Sequence, residues 1–292
     1  MADAYELDAR PTPPPLPGSV VVRSSVDELI DAIAADLMVH AMNCVRAFGD
    51  FHVALSGGST PLPLYRRLMY DPNYRSLPWA RTHLWVVDER RVPFDDEKSN
   101  FRSISETIGD HSGIPPEQVH PIFAQADDAD TAYEASLRET LAWREPGHDR
   151  LDYVLLGMGT DAHTASLFPH SPALVAETDE IRRAEVMSSQ GRVGIDTTAD
   201  DAAPPRLVRI NAGANVTPPD RVTMTLRLIN ASRFIGVMVT GASKRATLAR
   251  VMTQQRPATA DVIEQYPILG IRPIGGVQRW YLDAEACPPV PA

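Results

Sequence analysis

Three stretches of this sequence, FHVAL (51–55), LDYVLL (151–156) and FIGVMV (234–239), are nearly unbroken apolar runs. A strand with one wet face alternates apolar and polar residues, whereas a strand buried on both faces is apolar throughout. Between such runs lie helical patterns. From Val26 to Phe48, apolar residues fall at 29, 30, 33, 37, 41 and 45, one stripe of a helix. Further strands are expected over Val20–Arg23, Thr82–Val87, Val119–Phe123, Leu207–Ile210 and Trp280–Leu282. Further helices are expected over Pro61–Met69, Asn100–Ile108, Ala129–Trp143 and Ser243–Thr253. Buried strands separated by helices imply an α/β fold whose central sheet is mostly parallel and covered on both sides.

The 292 residues are enough for a sizeable core. No apolar run approaches the roughly 20 residues of a membrane span, so no membrane partner is expected. The acidic start MADAYELDAR has no apolar signal core. Cys44 and Cys287 lie far apart with no CxxC, which disfavours a disulfide framework and suits a reducing, cytoplasmic setting. A net charge of −10 disfavours a general nucleic-acid binder. It leaves room for an anionic small substrate, because a few local cations and backbone N–H groups hold one phosphate. No HExxH or similar ligand spacing appears, so neither a metal nor another cofactor is expected. PTPPPLPG (11–18) closes a Pro-rich lead-in over 1–18, and 287–292 form a Pro-rich tail. The polar segment 177–205 reads as a long loop or insertion.

In an open α/β sheet, ligands bind beyond the carboxyl ends of the strands. Four clusters stand there: Ser56-Gly57-Gly58-Ser59-Thr60, Asp88-Glu89-Arg90-Arg91, Gly157 to His163, and Thr240 to Lys244. The first follows a strand and opens a helix, a setting that favours an anion. It is equally the setting of a glycine turn with a serine or threonine helix cap. DERR by itself reads as a solvated loop. Lys244 falls in the first turn of a helix, where its charge is mildly unfavourable unless an anion offsets it. Gly157-Met158-Gly159-Thr160-Asp161-Ala162 fits the dinucleotide fingerprint, but Pro169 cuts the helix short and no strand follows. That disfavours a nicotinamide-dependent dehydrogenase. His163 then stands out: it lies one turn past a strand end, beside Asp161, and imidazole can take a proton near neutrality.

Taken together, ALSGGSTP (54–61), VVDERRVPFDDEKSNFR (86–102), LLGMGTDAHTASLFP (155–169), PPDRVTMT (218–225) and VTGASKR (239–245) resemble the glucosamine-6-phosphate isomerase/6-phosphogluconolactonase family, on its lactonase side. The resemblance implies a Rossmann-like three-layer α/β/α fold over 19–286 in a single domain. It implies hydrolysis of 6-phosphoglucono-δ-lactone, a phosphorylated sugar lactone, in the oxidative pentose phosphate pathway, by a monomer or small homo-oligomer. On it, His163 is the catalytic histidine, with Asp161 beside it. Ser56, Gly57, Gly58, Ser59 and Thr60 form the phosphate loop. Asp88, Arg90, Arg221 and Lys244 bind substrate. Ala162 stands where the family usually has glycine, and 177–205 is longer than usual.

The sister activity, glucosamine-6-phosphate deamination, places a glutamate five residues after the histidine. Phe168 occupies that position here and cannot carry a proton. A non-catalytic sugar-phosphate sensor would carry a DNA-binding segment, and the chain before residue 20 is too short and Pro-rich for one.

Overall fold

The computed structural model describes residues 13–189 and 206–288. The first twelve residues, 190–205 and 289–292 lie outside them, so most of the lead-in, more than half of the polar segment and the end of the tail do too. The described residues form ten strands: β1 Ser19–Arg23, β2 Phe51–Leu55, β3 Thr82–Val86, β4 Asp88–Arg90, β5 Val119–His120, β6 Tyr153–Gly157, β7 Val208–Ala212, β8 Asp220–Met224, β9 Phe234–Val239 and β10 Val277–Asp283. Seven form one sheet in the order β1-β10-β9-β6-β2-β3-β5, with every pairing parallel. All five residues of β2, all five of β3 and all six of β9 are buried. Since successive side chains leave a strand on opposite faces, both faces of the sheet are covered.

The long helix Val26–Phe48 shows how the chain encodes its elements. Ser25 has extended backbone, and its hydroxyl accepts the Glu28 N–H at 3.2 Å. That is an N-cap of the preferred type, with Asp27 and Glu28 at the positive helix end. Leu29, Ile30, Ile33, Leu37 and Ala41 are buried, as the stripe requires.

The second sheet was not expected. Antiparallel β4, β8 and β7 stand beside the carboxyl ends of the main sheet, in the order β4-β8-β7. Val87 hinges the two: its N–H bonds Leu55 O at 3.0 Å, and its carbonyl accepts Met224 N–H at 2.9 Å. The reading of DERR as a solvated loop is therefore corrected. Asp88 and Glu89 are buried in β4. Glu89 is held by the N–H groups of Asn100 and Phe101, both at 2.7 Å, at the start of helix Asn100–Ile104. Segment 177–205 needs correction as well: 177–189 continue a helix, Pro172–Ser189. Its polar composition hid a helix packed on Ala260–Gln265 through the Arg182 ion pairs with Asp261 (2.8 Å) and Glu264 (2.6 Å). No described helix is long and apolar enough to cross a membrane.

Candidate active site

A cleft of about 470 Å³ opens at the carboxyl ends of β2, β6 and β9. The central strands of a parallel sheet all point the same way, so turns far apart in sequence meet there. Its walls include Ser56 to Thr60, Asp88, Arg90, His163, Arg221 and Lys244. Every expected site residue is thus at the cleft except Asp161, which stands behind His163. Sequence reasoning missed Asn100, Ser166, Val216 and Thr217, which also line it.

The turn after β6 presents the histidine. His163 Nδ1 lies 2.5 Å from Asp161 Oδ1, and the His163 main-chain N–H donates to the same oxygen at 3.2 Å. The turn is closed by Gly159 N–H to His163 O at 2.8 Å. A side chain at Gly159 would overlap His163 Nδ1 and Asp161 Oδ1, so this pair needs glycine beneath it. Burial, the largest single influence, acts to raise the Asp161 carboxyl, but the hydrogen bonds and charge of His163 together with a local backbone N–H outweigh it and hold the pKa below the ordinary value. A charged Asp161 accepts the Nδ1 proton, which leaves the Nε2 lone pair free. Phe168 packs against the imidazole, ring centroids 4.8 Å apart. It is an apolar wall at the position where the sister activity would have its glutamate.

Ala162 has φ of 68° and is buried. This is left-handed backbone, which explains the usual glycine. The strain of a methyl there, about 1–2 kcal/mol, opposes roughly 0.8 kcal/mol from burying it. Ala162→Gly is therefore expected to change unfolding free energy by no more than about 1 kcal/mol and to leave kcat unaltered, since Ala162 does not line the cleft. Urea denaturation and steady-state kinetics check this; a tenfold loss of kcat would mean that the methyl group positions the turn.

Three cations face the cleft: Lys244, Arg90 and Arg221. Arg90 and Arg221 are partners across the β4–β8 ladder. None of the three forms an ion pair with a carboxylate among the described residues. Arg90 Nη1 donates to Lys98 O at 2.6 Å, and Arg221 donates to the carbonyls of Pro218 and Asp220. Burial, then the charge of Arg90, lowers the Arg221 pKa. Burial also lowers Lys244, which Asp161 partly opposes. Such groups gain from an anion that neutralises them. Lys244 itself ends a short turn, Ala242–Lys244, one residue before helix Arg245–Met252, rather than lying inside the helix. Ser59 and Thr60 do not cap helix Leu62–Tyr70, whose N-cap is Pro61 without a side-chain bond. Their hydroxyls are thus free of the structural task that sequence alone could have given them. Asp88, in contrast, has one carboxylate oxygen engaged: its Oδ2 accepts the Ser166 hydroxyl at 2.6 Å.

One cluster among the described residues has metal-ligand types, Asp50, His52 and His83, at the opposite ends of the strands. Its chemistry is unfavourable to a metal. Trp85 Nε1, which can only donate, bonds His52 Nδ1 at 3.1 Å. The neutral ring then carries its proton on Nε2, facing Asp50 at 3.3 Å, and has no lone pair to offer. Asp50 is also paired with Arg144.

A parallel α/β sheet with a cationic cleft at its strand ends, containing an Asp-oriented histidine, places this chain among α/β proteins with a small-molecule site at the strand ends. The chain belongs to the glucosamine-6-phosphate isomerase/6-phosphogluconolactonase family, whose model matches residues 24–195 and 196–280. It is 35% identical over 262 residues to the 6-phosphogluconolactonase of Synechocystis, covering 88% of this chain and 92% of that one. It is 33% identical over 276 residues to the rabbit (Oryctolagus cuniculus) GDH/6PGL endoplasmic bifunctional protein, covering 92% of this chain. It spans only 30% of that relative's length. The 6-phosphogluconolactonase crystal structure from Thermotoga maritima shares the fold, with a TM-score of 0.67 at 24% identity over 91% of this chain and 99% of that one.

Proposed function

We propose that this chain hydrolyses 6-phosphoglucono-δ-lactone to 6-phosphogluconate, with His163 as general base. The observation that carries the reading is the His163–Asp161 pair at 2.5 Å on the edge of a cleft whose cations have no carboxylate ion-pair partners among the described residues. In the proposed reaction, Nε2 takes a proton from water, and the water oxygen attacks the lactone carbonyl. The tetrahedral oxyanion collapses by breaking the bond to the ring oxygen. The imidazolium returns its proton to that oxygen, giving a carboxylic acid that ionises, and a hydroxyl. Asp161 keeps the imidazole in the required tautomer throughout. The reading is supported by the curated lactonases among the relatives and by Phe168, which leaves the sister deamination without its acid. We place the activity in the cytosol on the unpaired Cys44 and Cys287. The test is hydrolysis of freshly generated lactone, coupled to oxidation of the product by its dehydrogenase, with and without the protein. No rate above spontaneous hydrolysis would sink the reading.

The phosphate is assigned to the N–H groups and hydroxyls of Ser56–Thr60, with Lys244 as counter-charge. A hydrogen bond to a charged group contributes about 1.5–3 kcal/mol. Lys244→Ala should therefore weaken 6-phosphogluconate binding by about one to two powers of ten. Unphosphorylated glucono-δ-lactone should be affected far less. Calorimetric titration of the phosphorylated acid and kinetics on both lactones decide the matter. Equal losses would place Lys244 at the sugar ring.

A further inference from the structure

We propose that Asn100 is a positioning residue for the glycine loop: it seats Gly57 and so fixes where the loop's N–H groups meet a substrate phosphate. The inference rests on the phosphate assignment above. Asn100 is the first residue of helix Asn100–Ile104, lines the cleft, and is 2% exposed. Its amide is locked. Nδ2 donates to the main-chain carbonyl of Asp88 at 2.7 Å. A carbonyl can only accept, so the other end of the amide, Oδ1, is the end that meets Gly57.

At that place Oδ1 is buried and has no hydrogen-bond partner. A buried acceptor left unpaired costs about 1–3 kcal/mol, so stability alone gives no reason to keep it. Contact with the loop does. Any side chain at Gly57 would overlap Asn100 Oδ1 and Cγ and come within 2.6 Å of its Cβ. Gly57 is not among the residues with positive φ, whereas Gly58 has φ of 94°. The two adjacent glycines thus do different work. Gly58 supplies backbone conformation, and Gly57 supplies the absence of a side chain against Asn100. Ser56 Oγ, on the other side of Gly57, is also buried without a partner.

Oδ1 is an acceptor and would repel a phosphate oxygen. Asn100 therefore acts through the loop and does not bind the anion itself. The same side chain joins the main chain of Asp88 to Gly57, in the loop assigned to the phosphate. Loss of this link shifts the loop relative to the rest of the site. A role confined to the fold would weaken every ligand alike; a seat for the loop weakens the phosphorylated ligand selectively.

The experiment titrates 6-phosphogluconate, inorganic phosphate and gluconate into the wild-type chain, Asn100→Ala and Asn100→Asp, with thermal melts of all three proteins. Asn100→Asp keeps the volume against Gly57 but loses the donor to Asp88 and adds a negative charge beneath the loop. Loss of one hydrogen bond to the charged phosphate weakens binding about ten- to a hundredfold. Affinity for 6-phosphogluconate and phosphate should fall by about that much in Asn100→Ala and further in Asn100→Asp at pH 8. Gluconate should change far less. Equal losses for gluconate and 6-phosphogluconate in proteins that melt normally overturn the inference, as does no loss for either. If Asn100→Ala fails to fold, Asn100→Ser, which adds no charge, decides on the same criterion. A folded wild-type chain that binds gluconate but neither phosphate nor 6-phosphogluconate overturns the phosphate assignment, and the inference falls with it.

Discussion

Replacing His163 by alanine should lower kcat on fresh 6-phosphoglucono-δ-lactone by about 10²–10⁴-fold, the usual contribution of a positioned general base. KM should move little, because no phosphate contact is removed. The fold should persist: the imidazole is partly exposed, and its side-chain partners are the Asp161 carboxylate and the face of Phe168. Asp161→Asn gives the sharper view of the same device. The asparagine can turn its NH₂ toward Nδ1, which then accepts; the ring proton moves to Nε2, and the base loses its lone pair. Its kcat should fall toward that of His163→Ala, and the double variant should lose little more, since the two residues act as one unit. Single-turnover measurements with circular dichroism check this. Full activity in a folded His163→Ala protein would remove the histidine from the reaction.

Where structure is dictated locally, it was legible in the sequence. FHVAL and FIGVMV are strands with the bounds read from their apolar runs, and the stripe beginning at Val26 is a helix to Phe48. Where a residue's environment comes from far along the chain, it was not. Asp88 looks solvated until Ser166, 78 residues on, supplies its hydroxyl. Glu89 looks solvated until the helix at Asn100 brings its N–H groups. β8 was missed because Asp220 and Arg221 open it, and its pairing with β4 is visible only after folding. Helix Pro172–Ser189 did leave a signal, a serine followed by proline at its start, which the polar residues after Glu177 outweighed. Asn100 left none: its value depends on Gly57, 43 positions away, lacking a side chain. Of the candidate site residues, Ser56–Thr60, His163 and Lys244 were legible because each falls just beyond an apolar run, and parallel strands bring those ends to one edge; Asp88, Arg90 and Arg221 reach the cleft from β4 and β8.

The opposite edge of the sheet carries the largest stability effect. Arg144→Met should destabilise the protein by about 3–5 kcal/mol at pH 7, the cost of breaking a buried ion pair from one side. Arg144 and Asp152 are almost wholly excluded from solvent. The guanidinium reaches Asp152 Oδ2 at 2.6 Å and Oδ1 at 2.9 Å, and Asp50 Oδ1 at 2.7 Å through Nε. Without it, Asp152 keeps Arg233 at 3.0 Å, the His52 N–H at 2.8 Å and the neutral Cys44 thiol, which leaves one buried charge poorly compensated. Methionine fills the space, so the loss reports charge more than packing. Adding Asp152→Asn should recover part of it, because the stranded charge is then gone. The pH dependence follows from Asp50. Burial pushes its carboxyl up, but the hydrogen bonds from His52 and Arg144 outweigh that and bring it down to about 2. A folded-state pKa below the unfolded value of about 3.9 means stability that is complete above about pH 4 and lost as pH falls toward 2. Arg144→Met gives up part of that depression, so its deficit should narrow between pH 4 and 2. Urea denaturation across that range measures it. The candidate cleft lies at the other ends of the same strands, so kcat of the folded variant should be unchanged. A loss below about 1 kcal/mol would mean that Arg233 alone suffices to hold Asp152.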